Sequence, residues 1–524
     1  MSKMMPALRR AAVAIAVLAL AGCAVGPNYR EPAAPAVDRY TVAPLPKSTT
    51  AADTAGGDAQ AFLEGQNVPR QWWTAFGNAE LDRRVQQAFA HSPTVAGAQA
   101  ALRQAEETAR AARGGLFPSL DANAGATRQK QSGAQFAGLG GNVSGSKPFN
   151  VINAGVSVGY VFDLFGGVRR GIEAQDAEAD VQRAKLDATY LMLATNVVTA
   201  SLQEASLREQ VQSAAKVVDD LQKELAIAEQ QQAIGSKSFS DTLAVRTELA
   251  TAAVALPGLR QQLAATQNQL ATYLGVTPAQ LDIHPITLDQ VTLPADIPVS
   301  LPSTVVAQRP DIRAAAAQLH AATAAVGVAT ADMLPRLTLS GSAGSQALHS
   351  GDLFSTGTGA WSIGLNILQP LFHGGQLLHQ KRAAKAGMDV ALANWQQVVL
   401  TSFQNVADSL QALEYDAASL KALATADHDA SKLLDLTRKQ YRIGAVGYVN
   451  LLTAEQAYQT AHVALIKSRT ARLADTAALY AALGGGWRDD PQSRATEGRA
   501  ATASTPAKTT VPHSDPGDHE RSQQ

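Results

Sequence analysis

Two segments of the chain alternate apolar and polar residues with a period of two. They cover residues 152–162 and residues 361–367. This alternation is typical of β-strands, and about ten residues is the length that a tilted strand needs to cross the hydrocarbon layer of a membrane. Weaker alternation at residues 120–126 and 337–343 supplies a partner for each segment, so the pattern predicts two β-hairpins.

The stretches that join each pair of strands, residues 131–147 and 346–359, are rich in glycine and serine, as long exterior loops of outer-membrane proteins can be. The strand pattern alone leaves a second interpretation open, a soluble antiparallel sheet with one face in water. No apolar run of about 18 residues follows the N-terminal segment. Any membrane-spanning part of the mature chain is therefore expected to be β-structure.

Two long segments, residues 168–233 and 376–443, contain no proline and place apolar or small residues at alternating spacings of three and four. This spacing is typical of a coiled-coil seam, and at 1.5 Å per residue each helix would be about 100 Å long. A turn at Gly235 or Gly444 leads into a second helix of about 38 residues. Each half of the chain is thus predicted to end in a helical hairpin with a glycine at its tip.

The same order of signals occurs twice along the chain. Pro93 and Pro118 bracket a predicted helix of about 24 residues, because proline is tolerated in a first helical turn and ends a helix further on. Pro310 and Pro335 stand at the same spacing. Three dipeptides of the first half have counterparts in the second, namely Gly166-Gly167 and Gly374-Gly375, Ile234-Gly235 and Ile443-Gly444, and Leu274-Gly275 and Leu483-Gly484. Two halves of roughly 210 residues therefore share one plan.

The N-terminus resembles a bacterial lipoprotein signal. Lys3, Arg9 and Arg10 precede the apolar run 11–20, which is too short to span a bilayer. Cys23 is the only cysteine in the chain, so no intramolecular disulfide can form, and the small residues beside it make it a candidate for lipidation. An incidental free thiol is the alternative.

Acyl chains, at about 0.8 kcal/mol per buried CH2, would hold Cys23 at a membrane. Ala24, which follows it, lacks the acidic side chain that often retains lipoproteins in the inner membrane, so the outer membrane is favoured. The predicted domains are a signal peptide, a lipidated tether, a first repeat, a second repeat and a disordered tail, covering residues 1–22, 23–65, 66–290, 291–486 and 487–524.

Composition and charge exclude several classes of function. The formal net charge of −1 gives no electrostatic footprint for nucleic acid, and the low aromatic content of 5% suits long packed helices. His373 and His379, which are as close along the chain as any two histidines, lack the spacing of helical metal ligands. No nucleophile elbow or Cys/His pair is present in the sequence, so neither an enzyme nor a metal or cofactor is expected.

Four membrane strands cannot close a barrel, and open strand edges in lipid cost several kcal/mol for each unpaired group. If the strands cross a membrane, the subunit must share its barrel with copies of itself. A dimer would give about eight strands with a filled interior, whereas a trimer would give about twelve strands and room for a lumen. The strand count therefore favours a homotrimer.

The stretch from Gln308 to Ala314, which reads QRPDIRA, resembles the signature of the TolC-like outer-membrane factor lipoproteins of the OprM/NodT group. Further similar features are the start of the mature chain from Cys23 to Pro32, the pair Trp72-Trp73 and the sequence DLFG from Asp163 to Gly166. The similarity covers about residues 20–486 of the chain.

This resemblance implies an α+β membrane protein, a homotrimer whose 12-stranded outer-membrane β-barrel, with four strands per subunit, continues into a long periplasmic α-helical barrel. The implied partners are a periplasmic adaptor protein and an inner-membrane transporter of the RND type, which supplies the energy. The channel itself would passively conduct small molecules to the exterior. Two alternatives remain, an outer-membrane duct for type I protein secretion and a periplasmic coiled-coil scaffold lipoprotein without a pore.

The resemblance also assigns roles to the two hairpin tips. The residues expected to contact the adaptor are Gly235, Ser236, Lys237, Gly444, Ala445 and Val446. In the family, a tyrosine and an aspartate can hydrogen-bond across neighbouring hairpins and hold the entrance shut, which predicts a latch between Tyr441 and Asp241. The alternative is a solvated aspartate and a packed tyrosine.

Family members often carry acidic rings at the constriction, but this chain has Asn450 and Thr453 at those positions. The departure indicates a gate held by neutral hydrogen bonds or a gate located elsewhere. Asp435, about three helical turns before the second tip glycine, is an alternative acidic lining residue, unless it only belongs to a solvated helix face.

Overall fold

The computed structural model describes residues 24–130 and 148–486. The predictions for the signal peptide, for Cys23, for the loop 131–147 and for the tail 487–524 concern residues outside these ranges. The described part contains six strands: β1 (Ala61–Glu64), β2 (Ser119–Gln129), β3 (Phe149–Phe162), β4 (Asp296–Val299), β5 (Arg336–Ala347) and β6 (Gly359–Leu368).

Eight α-helices complete the described part: α1 (Ala79–His91), α2 (Pro93–Arg113), α3 (Gly167–Ala233), α4 (Phe239–Tyr273), α5 (Pro302–Gln308), α6 (Pro310–Ala331), α7 (Gln376–Arg442) and α8 (Tyr448–Ala482). The long helices α3 and α7 have 67 residues each. The helices that follow them, α4 and α8, have 35 residues each. The two predicted helical hairpins are confirmed.

The four longer strands form one antiparallel sheet in the order β2-β3-β5-β6. Within each predicted hairpin the register is regular, with Asn123 opposite Gly155 and Gly341 opposite Ile363. The two hairpins are joined through β3 and β5, where Gly155 lies opposite Gly344. A Cβ added at Gly155 would lie 3.0 Å from the Gly344 Cα, so the missing side chains allow the close approach of these strands.

Helix α2 is shorter than predicted. It has 21 residues, because the backbone tightens into a 3-10 turn at Gly114–Leu116 before Pro118 is reached. Helix α4 carries Pro257 in its interior, which has no counterpart in α8. Proline lacks the backbone N–H that an α-helix uses, so α4 has one hydrogen bond fewer at this point.

The main core lies where the middle of the long helices meets the segments around β1 and β4. Trp72, Trp73 and Phe76 are almost completely buried, and the Trp72 ring lies 5.6 Å from the ring of Tyr480 near the end of α8. Strand β1 pairs with β4 in parallel, which ties the N-terminal segment to the link between the two halves. The sequence pattern did not predict either short strand.

The predicted tether ends inside this core. Gln60 is fully buried, and its side-chain amide donates a hydrogen bond of 3.0 Å to the Pro294 carbonyl. The Tyr40 hydroxyl donates to the Ser300 carbonyl at 2.7 Å. The second part of residues 23–65 is therefore extended but packed against the body of the protein, because its polar groups find fixed partners there.

Helix α6 is long and apolar enough to cross a membrane by length and composition alone. It packs against both α3 and α7 through a buried stripe that includes Ile312, Leu319 and Val326. An apolar helix packed between two others is typical of a protein core.

Candidate functional site

The two hairpin tips have the same backbone geometry. Gly235 and Gly444 have φ angles of +76° and +74°, the left-handed conformation that disfavours side chains. At each tip the residue after the glycine donates a backbone hydrogen bond of 2.9 Å to the residue five positions earlier. This is the Schellman motif, which ends a helix by satisfying its last carbonyl groups. The turns needed to reverse the chain are therefore built from the predicted glycines.

Four helices meet behind these tips in a small apolar cluster of their own. Its buried members are Ala228 of α3, Val245 of α4, Leu434 of α7, and Tyr448, Leu451 and Ala454 of α8. Since both hairpins contribute, the cluster holds the two tips of one subunit together. Tyr441 packs against it while partly exposed.

Tyr441 contacts the other hairpin through a different partner from the one predicted. The Lys237 ammonium donates a hydrogen bond to the Tyr441 hydroxyl, and it lies 4.9 Å from the centre of the Tyr441 ring. Asp241 lies in the first turn of α4, where its backbone N–H donates a hydrogen bond of 3.2 Å to the Ser238 hydroxyl. Within one subunit the tyrosine is thus bound by Lys237. A bond from Tyr441 to Asp241 of a neighbouring subunit stays a prediction.

Asn450 and Thr453 are both exposed on the first turns of α8. The Thr453 hydroxyl donates to the Val449 carbonyl of its own helix at 2.9 Å. Asp435 is exposed on α7 and lines the same cavity as Tyr441 and Lys237, which has a volume of about 790 Å³. Asn450, Thr453 and Asp435 are therefore exposed and available to an entrance, but no contact described within one subunit joins them.

A group of charged residues near the tips was missed by sequence reasoning. Arg438 of α7 donates to the Glu455 carboxylate of α8 at 3.1 Å and lies 3.9 Å from that of Asp220 of α3. Burial, the larger cause, and the charge of Glu455 raise the pKa of Glu224 on α3 to about 7. Burial also raises the pKa of Glu455. Each residue resembles an ordinary helix-surface charge in the sequence, so only the helix packing reveals the group.

The sheet exposes all the apolar residues that the period-two pattern singled out in β6 and two of those in β3, Val156 and Val158, whereas the others in β3 are half-buried. In β6 the side chains of Trp361, Ile363, Leu365 and Ile367 are exposed by 63–77%. Strands β2 and β6 are the edges of the sheet, and within the described residues each pairs with one other strand only. Two edges of the sheet are therefore unpaired within the described chain.

Metal binding finds no support in the part of the chain that the structure describes, where no group of three or more His, Cys, Asp or Glu side chains could hold an ion. His373 and His379 lie on either side of the start of α7. The described chain contains an exposed sheet and two long helical hairpins.

Comparison with known proteins agrees with this division into an exposed sheet and long helical hairpins. The family model described as outer membrane efflux protein matches residues 84–276 and 301–485. These residues include all four strands of the large sheet and all helices of both helical hairpins.

Among curated proteins, the chain is 32% identical over 432 residues to the pyoverdine export outer membrane protein OpmQ of Pseudomonas aeruginosa. The match covers 81% of this chain and 89% of that protein. It is 29% identical over 480 residues to the probable efflux pump outer membrane protein TtgC of Pseudomonas putida, with 91% and 95% covered. Both relatives are named for export or efflux and neither for an enzymatic reaction.

Among solved structures, the chain matches the outer-membrane channel OprN with a TM-score of 0.77 at 28% identity, over 89% of this chain and all of that one. It matches the open state of the outer membrane channel MtrE of Neisseria gonorrhoeae with a TM-score of 0.75 at 26% identity, over 89% and 99%. The chain belongs to the outer membrane efflux protein family. It is an outer-membrane channel component of an efflux pump.

Proposed function

We propose that three copies of this chain form one channel, with a 12-stranded β-barrel in the outer membrane and an α-helical barrel in the periplasm. One observation carries the proposal: a four-stranded sheet exposes alternating apolar side chains and ends in two edge strands. In lipid, the unpaired groups of β2 and β6 would each cost several kcal/mol. Pairing β6 of one copy with β2 of the next removes both edges.

The same channel would be anchored through lipid on Cys23. In support, the Val25 backbone N–H donates to the Phe165 carbonyl at 3.0 Å, and Gly26 packs directly on Gly327. Phe165 lies between the end of β3 and the start of α3, at the junction of strands and helices. The residues after Cys23 are thus held at the level where a barrel would meet the periplasmic surface of the membrane.

The hairpin tips would contact a periplasmic adaptor, which connects the channel to an inner-membrane transporter of the RND type. The cargo would be small molecules. The names of related proteins refer to pyoverdine, to toluene and to antibiotics, which supports small-molecule efflux over protein secretion. The transporter would supply the energy, and the channel a passive path.

The entrance would be held shut by contacts between hairpins. Within a subunit these contacts include the Lys237–Tyr441 bond. Between subunits they would include a bond from Tyr441 to Asp241, whose carboxylate lies at the start of α4 beside the tip. Asn450, Thr453 and Asp435 would face the path near this point without forming an acidic ring of the usual kind.

Conductance in planar bilayers tests this proposal. The full-length protein, purified in mild detergent, is expected to run as a trimer and to conduct little. The double variant Tyr441→Phe with Asp241→Ala removes both ends of the latch, so its conductance should rise several-fold. Lys237→Ala is the matched variant, because it removes the bond to Tyr441 within a subunit and leaves Asp241 in place.

Each alternative has its own outcome. If all three proteins conduct equally, the channel stands and the latch is wrong. If Lys237→Ala opens the pore as far as the double variant does, the contact within a subunit is the gate, because Tyr441→Phe removes that contact as well. If the protein is a monomer without conductance, the scaffold alternative replaces the channel.

A further inference from the structure

A pair of carboxyl groups joins the two helical hairpins of one subunit. Glu455 of α8 is only 6% exposed, and the Oε2 atom of Glu224 on α3 is buried without a hydrogen-bond partner. Both lie beside Arg438, which bonds Glu455 at 3.1 Å and lines the same cavity as Glu224. Two neighbouring carboxylates repel when both are ionised, whereas one shared proton turns the repulsion into a hydrogen bond.

The positive charge nearby does not neutralise the pair. Arg438 of α7 bonds Glu455 at 3.1 Å and also lies 3.9 Å from Asp220 of α3. One guanidinium therefore faces three carboxyl groups, those of Asp220, Glu224 and Glu455. With all three ionised, the negative charges outnumber Arg438, whose side chain is 40% exposed, and Lys223, which lies 3.9 Å from Asp220.

A second observation points to the same place. Tyr448 of α8 is 6% exposed, and its buried hydroxyl has no hydrogen-bond partner in the structure. It lines the cavity that Glu224 also lines. Burial and then the charge of Glu224 raise the pKa of this tyrosine, so it stays a hydrogen-bond donor at neutral pH. Glu455, Glu248 of α4 and Tyr441 of α7 also act on the Tyr448 hydroxyl, and the Lys237 ammonium lies 5.6 Å from the centre of the Tyr448 ring.

The proton on this pair would exchange close to neutrality. Burial, the largest cause, and the neighbouring Glu455 raise the pKa of Glu224 to about 7. A carboxyl group whose pKa is higher in the packed state stabilises that state at low pH. This stabilisation is lost as the pH rises from the ordinary pKa of the group to its raised pKa. The packed hairpins are thus favoured below about pH 7.

We propose that Glu224 and Glu455 form a proton-binding site that locks the first helical hairpin to the second, and that loss of the proton loosens both tips. Glu224 precedes Gly235 by the same number of residues by which Glu455 follows Gly444. At 1.5 Å per residue the site lies roughly 16 Å behind the tips. The consequence for conductance rests on the proposed channel, whereas the proton-dependent packing of the hairpins does not.

A second acidic pair shows why position matters. Burial and then a hydrogen bond with Asp475 raise the pKa of Asp416 to about 7 as well. Asp416 lies on α7 and Asp475 on α8, so this pair joins two helices of one hairpin. Its proton can change the stability of that hairpin but cannot tie the two hairpins together.

Two measurements on the full-length protein test the site between about pH 5.5 and about pH 8.5. The first is conductance in planar bilayers. The second is the distance between spin labels at Ile227→Cys on α3 and Val449→Cys on α8, two exposed positions on different hairpins. Single-cysteine variants identify any signal from a label at Cys23.

Glu224→Gln is the informative variant, because glutamine keeps a hydrogen bond to Glu455 without a titrating proton. Glu229→Gln is its matched control, since Glu229 lies on the same helix in an exposed pair with Arg246. In the parent and in Glu229→Gln, conductance should rise several-fold and the label distance lengthen as pH passes about 7. In Glu224→Gln both should stay at their low-pH values.

Other outcomes overturn the site in distinguishable ways. A label distance in the parent that does not change with pH excludes it, even if the channel conducts. An unchanged pH response in Glu224→Gln assigns the titration to a group other than this pair. If no protein conducts, the proposed channel fails, and the label distances still decide whether the proton locks the hairpins.

Discussion

Arg84 and Glu204 form an ion pair whose side chains are both completely buried. The Arg84 guanidinium bonds Glu204 at 3.2 Å, the Ser201 hydroxyl at 3.0 Å and the His284 carbonyl at 2.7 Å. It joins α1 to the middle of α3 and to the link between the two halves. A buried charge in such a position depends on every one of its partners.

Removing one partner of this pair should therefore be costly. Glu204→Ala takes one of two carboxylates from the buried Arg84 guanidinium, which keeps Glu80 at 3.1 Å, and we expect the free energy of unfolding to fall by roughly 3 kcal/mol, the low end for a broken buried pair. Denaturant unfolding followed by the helical circular dichroism signal measures the change. The control Asp176→Asn breaks the exposed pair with Arg113 and should cost at most about 1 kcal/mol.

The double variant Arg84→Met with Glu204→Leu separates two explanations. It removes both charges and fills the space with apolar side chains, so much of the lost stability should return. If the double variant is as unstable as Glu204→Ala, lost packing and not an uncompensated charge is the cause.

Individual residues were predicted well where the backbone geometry depends on one residue type. Gly235 and Gly444 could be assigned to turns from the sequence because glycine tolerates the left-handed conformation that they adopt. The Lys237–Tyr441 bond and the Glu224–Glu455 pair could not be found in this way. Their partners lie about 200 residues apart along the chain, and hydrophobic periodicity carries no information on which polar groups meet.

At the scale of secondary-structure elements, the hairpin tips offer a direct comparison of two glycines. Gly235→Ala forces a side chain into a left-handed turn at φ +76°, with no atom nearby that would clash. Backbone strain alone should then lower stability by about 1 kcal/mol. Thermal unfolding of the solubilised protein measures this change.

Gly171, inside α3, is the matched control. It also has open space around its Cα but has no positive φ. Gly171→Ala should raise stability by roughly 0.5–1 kcal/mol, because alanine is the better helix former. Equal effects of the two substitutions would mean that the tip conformation does not determine the result.

The long elements followed from the sequence, and the short ones did not. Helices α3 and α7 repeat their apolar spacing over many turns, and β3 and β6 alternate over about ten residues, so each signal is strong. Strands β1 and β4 have four residues each and carry no complete pattern. They exist because distant segments pair in the core, and tertiary packing of this kind overrides local preference.

At the scale of the whole molecule, the described chain presents surfaces that its own atoms do not cover. The sheet ends in two edges, and its outer strand β6 exposes Trp361, Ile363 and Leu365. The sequence pattern predicted these strands. The number of subunits could only be inferred from the number of strands that a closed barrel needs. A single chain contains the incomplete sheet, and the trimer that would complete it remains a proposal.

The proposed barrel makes one prediction that depends on the whole assembly. Successive residues of a strand point to opposite faces, so Ile363 and Ser362 would face lipid and lumen, respectively. A lysine on the lipid face near the middle of the bilayer costs about 2–4 kcal/mol, whereas a lysine in a water-filled lumen costs little. We therefore expect Ile363→Lys to remove the trimer from the outer-membrane fraction, while Ser362→Lys assembles and changes only conductance and ion preference.

Because the Ser362 hydroxyl lies 2.9 Å from that of Ser342 on β5, the control Ser362→Lys disturbs one polar contact between strands and no apolar one. If both variants reach the outer membrane as trimers, the exposed face of β6 does not face lipid, and the soluble-sheet interpretation becomes the better account of these strands.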